Sequence, residues 1–128
     1  MRLEAMKELK ARGFPLGLHL DPLVWTPQFP QEMRKLGEQL REANLIEKMA
    51  YVSLGVVRFP EGFEKSFAQN YPNSLILRGP LIKTFDQKSR YPRPFREALL
   101  TLTQEILLES GFQKSQIYEC MENFQVEA

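Results

Sequence analysis

His19 and Asp21 stand two residues apart in Leu18-His19-Leu20-Asp21-Pro22. On an extended segment that spacing turns both side chains to one face. A carboxylate beside an imidazole can fix its tautomer, and the two together can hold a polar ligand. The same residues equally suit a histidine satisfied by backbone and an aspartate that caps the turn before Pro22. His19 is the sole histidine, which excludes a metal site built on histidines. Ser53-Leu54-Gly55 offers a hydroxyl and a point where backbone can approach a ligand closely, since glycine has no side chain in the way. Packing of Gly55 against a helix explains it as well. Arg58 follows, placed to bind an anion or to pair with Glu61. The densest cluster is Lys88-Ser89-Arg90-Tyr91-Pro92-Arg93-Pro94-Phe95-Arg96, four cations and two aromatics stiffened by two prolines. Such a segment can grip phosphates while a ring stacks on a base. The alternative is a basic loop whose Arg93 and Arg96 pair with carboxylates of the last helix.

These residues need elements to position them, and the elements can be read from the pattern. Leu3, Met6 and Leu9 form one helical stripe that Gly13 ends in a left-handed conformation. Phe14 to Leu20 is a short apolar run bounded by Asp21-Pro22, a buried strand. A proline-rich loop leads to a helix over Gln31–Asn44, with Met33, Leu36, Leu40 and Ala43 on one side. Gly37 costs that helix up to about 1 kcal/mol relative to alanine. Met49 to Phe59 is the clearest strand, closed by Pro60. Phe63 and Phe67 mark a short helix. Ser74-Leu75-Ile76-Leu77 reads as a third strand, running on toward Leu81-Ile82. Asp86-Gln87 turns a hairpin without the usual glycine. Pro94 opens a helix carrying Phe95, Leu99, Leu102 and Ile106, and Gln116 to Met121 is a last strand. Strands alternating with helices predict an α/β fold of parallel βαβ units, with a basic hairpin-like insert over 81–96. In such folds chemistry gathers at the carboxyl ends of strands, here His19, Asp21, Trp25, Ser53, Gly55, Arg58, Arg78, Glu119, Cys120 and Glu122.

Length and composition set the outer limits. A chain of 128 residues, 43% hydrophobic and 26% charged, is one α/β domain's worth over 1–128. No stretch approaches the ~18 apolar residues of a membrane span, and the charged start, Met1 to Glu8, is no secretory signal. One cysteine, Cys120, excludes an internal disulfide and any metal site needing several thiolates, so no metal is expected and a reducing cytoplasm is the expected compartment. A lone thiol in an apolar strand is usually an inert small hydrophobe. Neither a phosphate-binding glycine loop nor a serine nucleophile elbow is present. The net charge of +1 conceals a net +5 over 78–96 and a net −5 over 97–128. The basic stretch is a candidate anion-contacting surface.

Four ordered stretches, spanning about residues 10 to 122, resemble the spore photoproduct lyases and their bacterial relatives. Arg12-Gly13-Phe14-Pro15-Leu16-Gly17-Leu18-His19-Leu20-Asp21-Pro22 resembles that family's gly-tyr-pro-val-gly-phe-his-phe-asp-pro stretch. Val52-Ser53-Leu54-Gly55-Val56-Val57-Arg58-Phe59 is similar to its ser-leu-gly-thr-leu-arg-phe strand. Lys88 to Arg96 is similar to its lys-met-arg-tyr-x-arg-pro-x-arg segment, and Tyr118-Glu119-Cys120-Met121-Glu122 to its tyr-leu-cys-met-glu end. The family consists of radical S-adenosylmethionine enzymes that repair a thymine dimer in spore DNA on a partial (β/α)6, TIM-like barrel.

The resemblance implies that this chain is the carboxyl-terminal half of such a barrel. It implies that His19, Asp21 and Ser53 line the cofactor pocket, and that Lys88, Arg90, Tyr91, Arg93 and Arg96 belong to a DNA-contacting hairpin. The family's three-cysteine motif for a [4Fe–4S] cluster has no counterpart here, so no cofactor is expected on this chain alone and no catalytic residue is assigned. S-adenosylmethionine and the cluster enter only with an amino-terminal half carried elsewhere. DNA, a chain bearing that half, and a second copy joined through an exposed sheet edge are the expected partners; no membrane is. Gln87 departs from the glycine common at that place in relatives. A half barrel leaves a border strand, here Pro15–Leu20, and an uncovered sheet face. Two other functions fit the residues: a non-catalytic nucleic-acid-binding or protein-association remnant, and an unrelated small α/β protein binding a metabolite at its polar strand ends.

Overall fold

The structure, a computed structural model, describes residues 2–74, 80–120 and 122. Its central feature is a parallel sheet of three strands in the order β1-β2-β6, formed by β1 (Leu16–Leu23), β2 (Met49–Val56) and β6 (Ile117–Glu119). Leu18, His19 and Leu20 lie opposite Val52, Ser53 and Leu54, which in turn lie opposite Ile117, Tyr118 and Glu119. The predicted parallel α/β architecture is therefore present. No closed barrel forms among the described residues. The predicted third strand at Ser74–Leu77 falls, apart from Ser74, outside them, and β6 pairs directly with β2.

Period-two alternation sorts each strand into two faces. Leu16, Val52, Leu54 and Val56 are buried, with Leu18, Leu20 and Ile117 packed at the margin of the same core. Two helices, α2 (Phe29–Glu42) and α4 (Arg93–Ser110), cover this side and pack on each other. Leu40, Leu100, Ile106 and Leu107 are at most 1% exposed. Burial on that scale contributes about 1.5–3 kcal/mol for each such side chain.

Helix α2 begins two residues ahead of the predicted start because Pro30 suits a first turn, where no backbone donor is needed. Just past its end, Asn44 has a φ of 57° and takes the left-handed place usually filled by glycine. The Asn44 and Leu45 amides close the end onto the carbonyls of Arg41 and Leu40. Gly13 ends α1 (Arg2–Ala11) in the expected way, with φ 85°. Gly37 has a packing reason: a Cβ there would lie 2.8 Å from Cβ of Ser110 on α4, so glycine lets the two helices approach. Helix α1 buries no residue fully; Leu3 and Met6 touch the core while Leu9 is exposed, narrowing the predicted stripe to two positions.

Beyond β2 the chain builds a second, smaller layer. β3 (Arg58–Phe59) pairs with β5 (Ser89–Arg90), and β5 with β4 (Ile82–Lys83), all antiparallel. The predicted insert is a hairpin only over Ile82–Arg90, with β4 and β5 docked on the end of β2 through β3; Arg93 to Arg96 form the first turn of α4 instead. Gln87 adopts φ 64° at the hairpin turn. Asp86 substitutes for the missing glycine: its carboxylate accepts the Thr84 hydroxyl at 3.1 Å and the Lys88 amide at 3.2 Å. Helix α3 (Phe63–Asn70) leans on this layer through a run of rings, Phe59, Phe63, Phe67 and Tyr71. Among the described residues no helix is long and apolar enough to cross a membrane.

Candidate functional site on the bare face of the sheet

The helices cover one face of the parallel sheet. The other face carries Gly17, His19 and Asp21 on β1, Tyr51, Ser53 and Gly55 on β2, and Tyr118 on β6. His19, Ser53 and Tyr118 lie side by side across the three strands. His19, Tyr51 and Tyr118 are exposed, whereas Ser53, between them, is 1% exposed.

Two glycines shape this surface. A Cβ on Gly17 would come within 2.6 Å of the Tyr51 hydroxyl oxygen, so the phenol lies directly over the Gly17 backbone. There it shares a 3.0 Å hydrogen bond with Nε2 of His19 and meets the imidazole edge to face, at 5.3 Å between centroids. Tyr118 extends the aromatic patch, 5.8 Å from Tyr51. Gly55 does the same for Asp21: a Cβ there would lie 2.6 Å from the carboxyl carbon. The carboxylate crosses to the β2 side and takes a two-pronged ion pair from Arg58, Nη1 to Oδ1 at 3.2 Å and Nη2 to Oδ2 at 3.0 Å. Arg58 is anchored further by the Val56 carbonyl.

The sequence-predicted residues His19, Asp21 and Ser53 are therefore brought onto one face, with partners supplied by the neighbouring strand. Asp21 does not orient His19; it pairs with Arg58, and His19 pairs with Tyr51. Glu61 pairs with Lys83 and not with Arg58. Gly55 serves neither a helix nor an open approach, because the Asp21 carboxylate fills the space. Tyr51 and Tyr118 were not singled out from the sequence. The usable signal was Gly17, since an isolated glycine inside a strand marks close approach by another group. The Cys120 amide donates to Leu54 at 2.7 Å, continuing the β6 pairing, and its thiol is free and half-buried. Among the described residues no group of three or more histidine, cysteine, aspartate or glutamate side chains could hold a metal ion. Arg78 lies outside the described residues.

The basic segment divides into structural and surface cations. Arg90 is 1% exposed; its Nη2 donates to Asp86 at 2.9 Å and its guanidinium lies over the Phe85 ring. Arg96 is fully buried on α4, pairing with Glu122 at 3.1 Å and donating to the Tyr91 carbonyl at 2.6 Å. Tyr91 is buried too, accepting the Trp25 amide at 3.3 Å, and burial pushes its phenol above the usual tyrosine range against the smaller, opposing effect of that hydrogen bond. Lys88 and Arg93 are half-buried and pair with Asp86 at 3.8 Å and Glu97 at 2.9 Å respectively. The structure thus separates the cluster: Lys88 and Arg93 keep part of their side chains in solvent, while Arg90, Tyr91 and Arg96 hold the hairpin to α4 and the core.

Burial would by itself raise the Asp86 carboxyl. The Lys88 amide, Arg90, the Thr84 hydroxyl and the Lys88 ammonium together outweigh it and hold the group below the usual range. Glu64 is also lowered, chiefly by the hydrogen bond donated by the Ser89 hydroxyl. Both carboxylates tie the hairpin, one within its turn and one to α3.

Comparison of the chain with family models, with curated proteins and with solved structures finds no match.

Proposed function

We propose that this chain is the carboxyl-terminal portion of a spore photoproduct lyase-like radical S-adenosylmethionine protein, contributing part of the cofactor pocket and DNA contacts and not catalytic alone. The observation that carries this reading is the one-sided sheet. Three parallel strands in sequential spatial order, with helices on one face and titratable side chains on the other, have the layout of one wall of a (β/α) barrel whose remaining wall is supplied elsewhere. Strand β1 stands at the border of that wall, where the preceding strand of a barrel would pair.

A [4Fe–4S] cluster does not fit this chain, which has one thiol where ligation needs several. S-adenosylmethionine fits in kind. The Tyr51 and Tyr118 rings suit a planar heterocycle, and His19, Ser53 and the Asp21–Arg58 pair suit its polar ends. When bound in an assembled enzyme of this class, it supplies the hydrogen-abstracting group. The residues of this chain would bind and orient it. Lys88 and Arg93 would meet the nucleic-acid backbone.

The test is co-expression with a chain carrying the three-cysteine half, sought first in the neighbouring reading frame. The expected result is a stable complex that holds iron and shows a cluster absorbance absent from this chain alone. A chain that stays a stable monomer, takes up no companion and ignores DNA at low salt would overturn the reading. The single cysteine favours a second reading, a non-catalytic nucleic-acid-binding or protein-association remnant; salt-sensitive DNA binding without any companion or iron would select it.

A further inference from the structure

Beside the Asp21–Arg58 pair a cleft of 330 Å³ opens between the two sheets. Pro22, Arg58, Phe59, Phe63, Phe67 and Lys88 line it. The volume falls within the range of about 300–1,000 Å³ typical of small-molecule sites. Its apolar wall is made of rings. Phe59 and Phe63 are nearly parallel, 20° apart, and Phe63 is 46% exposed, so much of its ring is open to a ligand.

The charges are unequal. Two cations, Arg58 and Lys88, face one carboxylate, Asp21. Asp21 and Arg58 satisfy each other at 3.0 Å. Among the described residues Lys88 has one long ion-pair contact, 3.8 Å to Asp86, whose same oxygen already receives Arg90 at 2.9 Å. The surplus charge of the cleft therefore sits on Lys88. An apolar ring wall with one available ammonium at its edge is complementary to a planar aromatic group bearing an anion.

We propose that this cleft is a binding site for a nucleobase joined to a phosphate, the base lying on Phe63 and the phosphate at Lys88. Two sources share this chemistry: a free mononucleotide and an unstacked base within single-stranded nucleic acid. The proposal is argued from the cleft and not from the parentage proposed above, although Asp21, Arg58 and Lys88 border the cleft and also figure in that reading.

The experiment is a titration of the purified chain by heteronuclear NMR with deoxyadenosine monophosphate, deoxyadenosine and a hexamer of deoxyadenylate. The expected result is shifts confined to residues around Phe63 and Lys88, with the monophosphate bound about tenfold more tightly than the nucleoside. Lys88→Gln should erase that preference. Phe63→Leu, which keeps the apolar contact and the fold while removing the ring, should weaken monophosphate and nucleoside alike by about tenfold. Binding of the hexamer more tightly than the monophosphate at the same residues supports the proposal with nucleic acid as the source, and binding of the monophosphate alone supports it with a free nucleotide. Equal affinity for nucleoside and monophosphate, a preference that survives Lys88→Gln, shifts centred elsewhere, or no binding at millimolar ligand would each overturn it. A chain that fails to find a cluster-bearing partner yet passes this titration would separate the two proposals.

Discussion

Replacing Gly55 by alanine tests how the polar end of the sheet is held. The new Cβ would lie 2.6 Å from both Cγ and Oδ2 of Asp21 and 2.9 Å from Oδ1. Non-bonded atoms do not rest that close, so the carboxylate must leave its place over β2. With it go the two Arg58 hydrogen bonds of 3.2 and 3.0 Å. The side chains of this pair are 20% and 27% exposed, between a surface ion pair, worth under about 1 kcal/mol, and a buried charged hydrogen bond, worth about 1.5–3. A loss of about 1–2 kcal/mol follows. Alanine offsets part of it, because glycine within a strand is about 0.5–1 kcal/mol less favourable. Gly55→Ala should therefore destabilise the chain by about 0.5–1 kcal/mol. In an Asp21→Ala background the obstruction is gone, and the same change should stabilise by about 0.5–1 kcal/mol. Urea unfolding followed by Trp25 fluorescence reads this as midpoint shifts of opposite sign at constant slope. Equal losses in both backgrounds would refute the idea that Gly55 exists to seat Asp21.

Three further outcomes follow from the hairpin. Asp86 and Glu64 have lowered folded values, so their stabilisation is complete above the unfolded carboxylate range and is lost as pH falls through the folded values; hairpin amides should lose exchange protection below about pH 4 while those of β1 and β2 persist. Gln87→Gly should raise stability by about 0.5–1 kcal/mol, because a left-handed residue is relieved at some entropic cost, and the unfolding midpoint measures it. Lys88→Ala with Arg93→Ala should leave the fold intact and lower the salt slope of any DNA binding by about two, whereas Arg90→Ala should loosen the hairpin itself, visible as lost Thr84 and Lys88 amide protection.

Elements with strong local signals were legible in the sequence. The stripe Met33, Leu36, Leu40 gave α2, the apolar run from Met49 gave β2, and Gly13 and Gly111 stand just past the helix ends, each with positive φ. What local pattern could not supply was partnership. Asp21 is two residues from His19, and spacing alone pairs them; the neighbouring strand brings Arg58 and Tyr51 instead, and cross-strand partners depend on register, which sequence spacing within one strand does not contain. The basic segment shows the same limit. Six cations between residues 78 and 96 read as one charged surface, yet a guanidinium on a helix facing a core can be buried once a carboxylate such as Glu122 arrives from 26 residues away. Composition counts charges without saying which of them the fold consumes.

The polar face of the sheet, which no helix covers among the described residues, also shows how such a surface keeps its shape. Its two bulkiest groups near β1 do not stand out from the sheet. The Tyr51 phenol lies over Gly17, and the Asp21 carboxylate lies over Gly55, each held by a partner at its far end, His19 in one case and Arg58 in the other. Each glycine removes the one side chain that would lift the larger group away. The result is low relief with its polar atoms fixed in place before anything binds, the condition under which binding loses least to ordering. A face that only needed to be soluble would gain more from lysine and glutamate projecting into water, as on α1, where Lys7 meets Glu4 and Arg12 meets Glu8. The contrast between these two surfaces of the same chain argues that the sheet face is built to be covered, by a ligand, by a second layer of protein, or by both together.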